Sequence, residues 1–401
     1  MCEAIKLNLR IRRKAAHHPS SYNICHHTDH TPRPRDTPSV ICCSFELWST
    51  MSAGCGNREE AIMSIQLSSL GDDNIHDAID LWCTDNVTAT EQFGHIADWE
   101  TSGVTNMDRL FMDRRQFNDD ISRWNVGNVT RMSSMFYRAS RFNQNIGKWD
   151  VANVTNMREM FHYASSFNQN IGGWVVEKVI DMNSMFQDAV CFDQNIGGWR
   201  VTNVINMSSM FQDASSFNQD IGGWNVAKIN TLKGMLCGAS SFNQNIGDWD
   251  VGNVTDMSHF LHGASTFNHD ISGWNVAKVT DMKYMLCYAS AFNQSIGGWT
   301  VANVRAMSGM FLGASAFNQS IEEWDVSRVT EMIDMFRDAS SFNQNIDKWV
   351  LDKVVNMHGM FRAASSFNGS IGEWNVEKVK DMNGMFQDAV SFDQGIGGWS
   401  V

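Results

Sequence analysis

The stretch Phe142–Val151, FNQNIGKWDV, decides how this chain is read. It returns 25 residues later as FNQNIGGWVV at Phe167, then as FDQNIGGWRV at Phe192, and so on to FDQGIGGWSV at Phe392. Trp recurs at every 25th position from 99 to 399, Phe from 117 to 392 and Ile from 121 to 396, with no insertion or deletion. Self-similarity at a fixed period marks a repeat array in which each unit touches mainly its neighbours. A chain of 401 residues, long enough for two or three globular domains, therefore reads as one elongated array with short flanking segments.

One unit, Ile146 to Asn170, carries two apolar patterns. Ile146, Trp149, Val151 and Val154 contain a Trp-x-Val step, a minimal strand with both bulky side chains on one face. Met157, Met160, Phe161, Ala164 and Phe167 fall at i, i+3, i+4, i+7 and i+10, the stripe of a three-turn helix, with Thr155 or Asn156 as its N-cap. The spacing predicts a strand-turn-helix-turn unit. Twelve such units predict an α/β solenoid, a right-handed coil whose strands form one continuous parallel sheet. Strands sit about 4.8 Å apart and helices about 8 to 10 Å, so the strands are expected on the concave side.

Residues 73–95 read as an N-terminal cap, because Ile75, Ala78, Ile79 and Trp82 share one helix face after a capping Asp72 or Asp73. Residues 1–72 hold all four prolines and no apolar period, which reads as a disordered segment. The run Cys25–His30, CHHTDH, has metal-ligand residue types, but its spacing fits no closed zinc module, and no metal site is assigned. Residues 96–401 form the array and stop just inside a new repeat, so the expectation is a truncated end whose open strand edge invites self-association. No apolar run is long enough for a transmembrane helix, and the N-terminus lacks the apolar core of a signal peptide. The formal charge of −13 argues against nucleic acid as a partner.

No catalytic motif occurs: there is no G-x-S-x-G, no H-E-x-x-H and no phosphate-binding glycine loop, so neither an enzyme nor a cofactor is expected. His259 and His262 stand three residues apart without a carboxylate or thiolate series beside them, and read as surface positions of a repeat helix. The methionine series reads as core filler. The series Asn143, Asn168, Asp193, Asn218, Asn243, Asn268, Asn293, Asn318, Asn343 and Asn368 reads as a structural ladder, each side chain bonding the next turn. Recognition is expected where residues vary while the core does not. On the concave face these are Asn125, Asp150, Arg200, Asn225, Asp250, Asn275, Thr300 and Asp325, with Lys148, Asp248 and Glu323 in the position before Trp.

The pattern Ile-x-x-Trp-x-Val-x-x-Val is similar to the strand segment of leucine-rich repeats, with Trp and Ile in place of Leu. With the M-x-x-M-F-x-x-A-x-x-F segment, the unit resembles the BspA-like leucine-rich-repeat surface proteins over residues 73–401. That resemblance implies a solenoid, a protein or glycan ligand, and an adhesion-type role at the cell surface. It carries no catalytic residues. The alternative is an intracellular protein–protein scaffold of the same fold.

Overall fold

The computed structural model describes residues 68–400. The Cys25–His30 run, the expected disordered segment up to residue 67, and Val401 lie outside the described residues. Within the last part of that expected segment, Leu70 is buried and Gly71 pairs with Gly103.

Two helices open the described chain. Helix α1, Ile75–Thr84, buries Ile75, Ala78, Ile79 and Trp82, the face read from the sequence. Its N-cap residue is Asn74, whose Oδ1 accepts the Gly71 N–H at 2.9 Å. Asp72 serves the junction instead: its carboxylate accepts the N–H groups of Thr105 and Asn106 at 2.7 and 3.0 Å. Helix α2, Asn86–Phe93, is capped by Asp85, which accepts the Thr88 N–H at 3.1 Å. A 3-10 turn, Ile96–Asp98, leads into the repeats. The Trp82 indole N–H donates to Asp119 Oδ2 at 2.8 Å, joining this cap to the first repeat.

Beyond Asp98 the expected α/β solenoid does not form, since no helix and no continuous sheet occur there among the described residues. Each repeat is a chain of tight turns. The segment predicted as helix has Glu159 and Tyr163 at φ 55° and 58°, and all their counterparts, from Arg109 and Asp113 to Gly384 and Asp388, also have positive φ. A left-handed residue every fourth position breaks the i to i−4 ladder that a helix requires. In its place Met160 N–H bonds Met157 O and Ala164 N–H bonds Phe161 O, three residues back, as type II turns do with positive φ at their third residue. The N–H groups of Met157, Glu159, Phe161 and Tyr163 point out of the repeat. They donate to Asp181, Asn183, Met185 and Gln187 in the next one, at 2.8 to 3.0 Å.

The predicted strand is equally short-lived. Neighbouring repeats pair through single parallel bridges, Asn106 with Arg131, Arg131 with Asn156 and Asn156 with Asp181. Arg158 N–H then bonds Asn156 Oδ1, an Asx turn that ends the extended backbone at once. At the Trp-x-Val step the chain is closed by turns on both sides, Trp149 N–H to Ile146 O and Val154 N–H to Val151 O. The link between repeats here is the Trp side chain. Trp174 Nε1 donates to Ile146 O at 3.1 Å, so that one carbonyl accepts both a backbone and an indole N–H.

What the stacking buries is the set of repeated letters. Ile171, Trp174, Val176, Val179, Met182, Met185, Phe186, Ala189 and Phe192 are all buried, as are their counterparts through most of the array. The rings run in columns: Trp174 on Trp199 at 6.4 Å and 2°, Phe161 on Phe186 at 5.5 Å and 6°, with Phe161 against Phe167 at 4.0 Å inside one repeat. The first glycine of the Ile-Gly-Gly-Trp turns, the last one at Gly397 excepted, has a packing reason, because a Cβ on Gly172 would run into Asn195 O of the next repeat. The second, Gly173, faces open space.

Candidate functional site

The row named from the sequence lies on the exposed side of the stack, with no sheet beneath it. Asn125, Asp150, Arg200, Asn225, Asp250, Asn275, Thr300 and Asp325 are exposed at the same register of successive repeats, and Lys148, Asp248 and Glu323 are exposed two residues before them. Much of the row also shapes its own backbone. The side-chain oxygens of Asn125, Asp150, Asn225, Asp250, Asn275 and Asp325 accept the N–H two residues on, at 3.0 to 3.2 Å. These Asx turns orient each side chain, and each leaves acceptor capacity facing out. At Asp325 the bonds from the Ser327 hydroxyl and N–H hold the carboxyl below its ordinary range.

Two charges along the row are locally answered. Arg200 reaches Glu177 at 3.1 Å, and Glu323 holds Lys348 at 2.6 Å, which raises the lysine above its ordinary value. Val175 and Val350, about half exposed, take the same register as Asp150 and Arg200, so the row alternates anions, amides, a cation and apolar residues.

The Asn series lies on a different corner. Asn168 N–H donates to Asn143 Oδ1 at 2.9 Å, and Gln169 Nε2 donates to the same oxygen at 3.0 Å. The bond repeats at Asp193, Asn218, Asn243, Asn268, Asn293, Asn318, Asn343 and Asn368. Each side-chain oxygen is occupied by the following repeat, at a corner separate from the exposed row.

Two features were not singled out from the sequence, and a third differs from its reading there. Arg138 lies over the rings of Tyr137 and Tyr163, with its guanidinium carbon 5.0 and 5.6 Å from their centroids. His162 stacks on Tyr163 at 4.4 Å, and its two buried ring nitrogens have no hydrogen-bond partner; Asp188 stands 3.7 Å away, beyond bonding reach. The imidazoles of His259 and His262 do not sit on a helix. They meet Nδ1 to Nδ1 at 3.3 Å, and burial pushes both below the ordinary histidine value, with His259 adding to the effect on His262. A cue for the first feature was present: residues 109–158 hold nine Arg and Lys against four Asp, in a chain whose total is −13.

Among the described residues no three His, Cys, Asp or Glu side chains converge closely enough to hold a metal ion. Cys237 and Cys287 are free thiols, pushed up by burial to about 11 and about 12, which leaves them protonated and unreactive at neutral pH. No helix of the described residues is long and apolar enough to cross a membrane.

Residues 71–196, 146–245, 170–272, 219–324 and 289–399 match the family described as Mycoplasma protein of unknown function, DUF285. No leucine-rich-repeat or BspA-like family matches, which overturns the resemblance drawn from the Trp-x-Val pattern. That pattern belongs to a turn with a buried indole, not to a leucine-rich-repeat strand. No curated protein matches the chain.

Proposed function

Because the chain belongs to the DUF285 family, whose description carries no activity, we propose from its geometry that it is a non-catalytic recognition module taking a protein or glycan ligand along the row from Asn125 to Asp325. One observation carries the reading. The buried letters of the repeat hardly change, whereas the exposed row changes in charge and size from repeat to repeat on a backbone fixed by Asx turns. A rigid scaffold presenting a variable polar row loses little freedom when it binds, which favours affinity without a deep pocket.

The test keeps the turns and removes the charges. Asp150→Asn, Arg200→Gln and Asp250→Asn together preserve the side-chain acceptors at 150 and 250 that hold Ala152 and Gly252. The full chain is screened on a glycan array and a protein display library. Ligands captured by the native chain are then challenged with the triple variant. Loss of capture with an unchanged circular dichroism spectrum supports the row; undiminished capture of every ligand removes it.

The adhesion-type placement rested on the BspA-like resemblance and falls with it as an argument. A second reading, an intracellular scaffold binding a protein through the same row, is favoured by Cys83, exposed and without a disulfide among the described residues, since exposed thiols persist in reducing compartments. Protease shaving of intact source cells separates the two. Release of repeat peptides identifies a surface protein, and protection until lysis identifies the scaffold.

A further inference from the structure

The first repeats carry a concentration of positive charge, of which the recognition row uses only Lys148. Among the nine basic residues of 109–158, Arg115 and Arg138 border one hollow of about 250 Å³, completed by Ser140, Tyr163 and Ser165. Three successive repeats contribute: Arg115 from the first, Arg138 and Ser140 from the second, Tyr163 and Ser165 from the third.

Each donor is incompletely engaged. Arg115 is exposed and forms no ion pair among the described residues. Arg138 is held from the sides by the rings of Tyr137 and Tyr163, while its nearest carboxylate, Asp113, stands 3.5 Å away, a looser contact than a charge-assisted hydrogen bond. Stacking of this kind fixes the plane of a guanidinium and leaves its N–H edge to a ligand. The hydroxyls of Ser140 and Ser165 reach the carbonyls of Arg115 and Ser140 only at 3.4 Å, so they can turn toward a better acceptor. Tyr163 is backed by His162 stacked behind it. Asp188 faces the pair from the next repeat, 3.7 Å from His162 on the side away from Arg115 in sequence order.

Two guanidinium groups with hydroxyl donors from three levels match a ligand that offers several oxygens around one centre. A carboxylate offers two oxygens in one plane, whereas a tetrahedral oxyanion offers three, spread in space. We infer that the hollow bordered by Arg115, Arg138, Ser140, Tyr163 and Ser165 is a binding site for a sulfate or phosphate ester group. The adjoining hollow of about 310 Å³, bordered by Arg114, the same Arg115 and Trp82, gives the carrier of that group a second, partly apolar place to lie. This site is on different side chains from the recognition row and does not depend on it.

The experiment uses the full chain and three fluorescently labelled polymers: dextran sulfate, polyphosphate and uncharged dextran. Fluorescence anisotropy should show binding to at least one polyanion, weakening as salt rises, and none to dextran. Which polyanion binds more tightly tells sulfate ester from phosphate ester. Arg115→Gln with Arg138→Gln should lose about a hundredfold in affinity, the loss of two charge-assisted contacts. Lys378→Gln with Lys380→Gln removes the same charge far along the chain and should leave affinity within about twofold. Arg115→Lys with Arg138→Lys keeps the charge but not the fork, and should fall between. If the Gln pair fails to keep the native near-ultraviolet spectrum, the Lys pair decides. Binding to neither polyanion overturns the site, and so does equal loss in the 115/138 and 378/380 pairs.

Discussion

Gly263→Ala separates the turn stack from a helical repeat by the sign of its effect. Gly263 sits at φ 70°, the register at which every repeat has a left-handed residue. A Cβ there would meet nothing closer than Gly238 Cα at 3.5 Å, an ordinary contact, so crowding adds nothing to the comparison. In a helix interior, replacing glycine by alanine stabilises by about 0.5 to 1 kcal/mol through lost chain entropy. In a left-handed conformation the added Cβ meets its own following carbonyl and costs about 1 to 2 kcal/mol. The structure therefore predicts a lower urea midpoint with an unchanged slope. The reverse substitution is available in the same protein. Ala363 is held at φ 55°, and Ala363→Gly should relieve the strain and roughly offset the entropy, leaving stability unchanged or raised by up to about 1 kcal/mol, with the midpoint unchanged or higher. Equilibrium unfolding followed by tryptophan fluorescence reads both. A raised midpoint for Gly263→Ala together with a lowered one for Ala363→Gly would refute the turn assignment.

Other consequences are as direct. Trp224→Phe removes an indole donor to Ile196 O, 3.2 Å away, and part of a buried ring, and should destabilise by about 2 to 3 kcal/mol in urea unfolding. The carbonyl keeps its Trp199 N–H, so a larger loss would mean the ring column matters more than the bond. Asn218→Ala should cost about 1 to 3 kcal/mol, because the N–H of Asn243 loses its acceptor and the amide of Gln244 keeps only the Asn218 backbone carbonyl; Asn218→Asp, the residue native at 193, should be close to neutral. Equal losses for both would sink the ladder. The paired imidazoles set a pH dependence. Their folded values lie below the unfolded 6.5, so the unfolded chain binds more protons in the window below 6.5, and stability falls as pH drops through it. The urea midpoint should decline from pH 7 to pH 5, and His259→Gln with His262→Gln should flatten that decline.

The period and the core were legible in the sequence because burial alone dictates them. Ile171, Trp174, Val176, Met182 and Phe186 had to face inward whatever the backbone did. The backbone itself was misread. Spacing of i, i+3, i+4 and i+7 is the signature of a helix, but a run of three-residue turns returns the same positions to the same side. The distinguishing cue was the column two and six residues after the first Met. Gly234 with Gly238, and Gly309 with Gly313, repeat a glycine pair that a stable helix would avoid, and Asp and Ser fill the same places elsewhere. The exposed row could be located by its variation, but its Asx turns depend on a bond two residues away that periodicity does not encode. The Arg138 hollow needs three repeats to assemble and has no sequence motif of its own.

Far-ultraviolet circular dichroism of the full chain tests most directly whether turns, rather than helices, join the repeats. The described residues contain helices of only ten and eight residues, so the repeats should add no helical signal. The spectrum should show at most the cap and whatever residues 1–67 contribute, well under a quarter of the chain. Twelve three-turn helices of about eleven residues would by themselves make up about a third of the chain. A helix content of a third or more would contradict the turn stack.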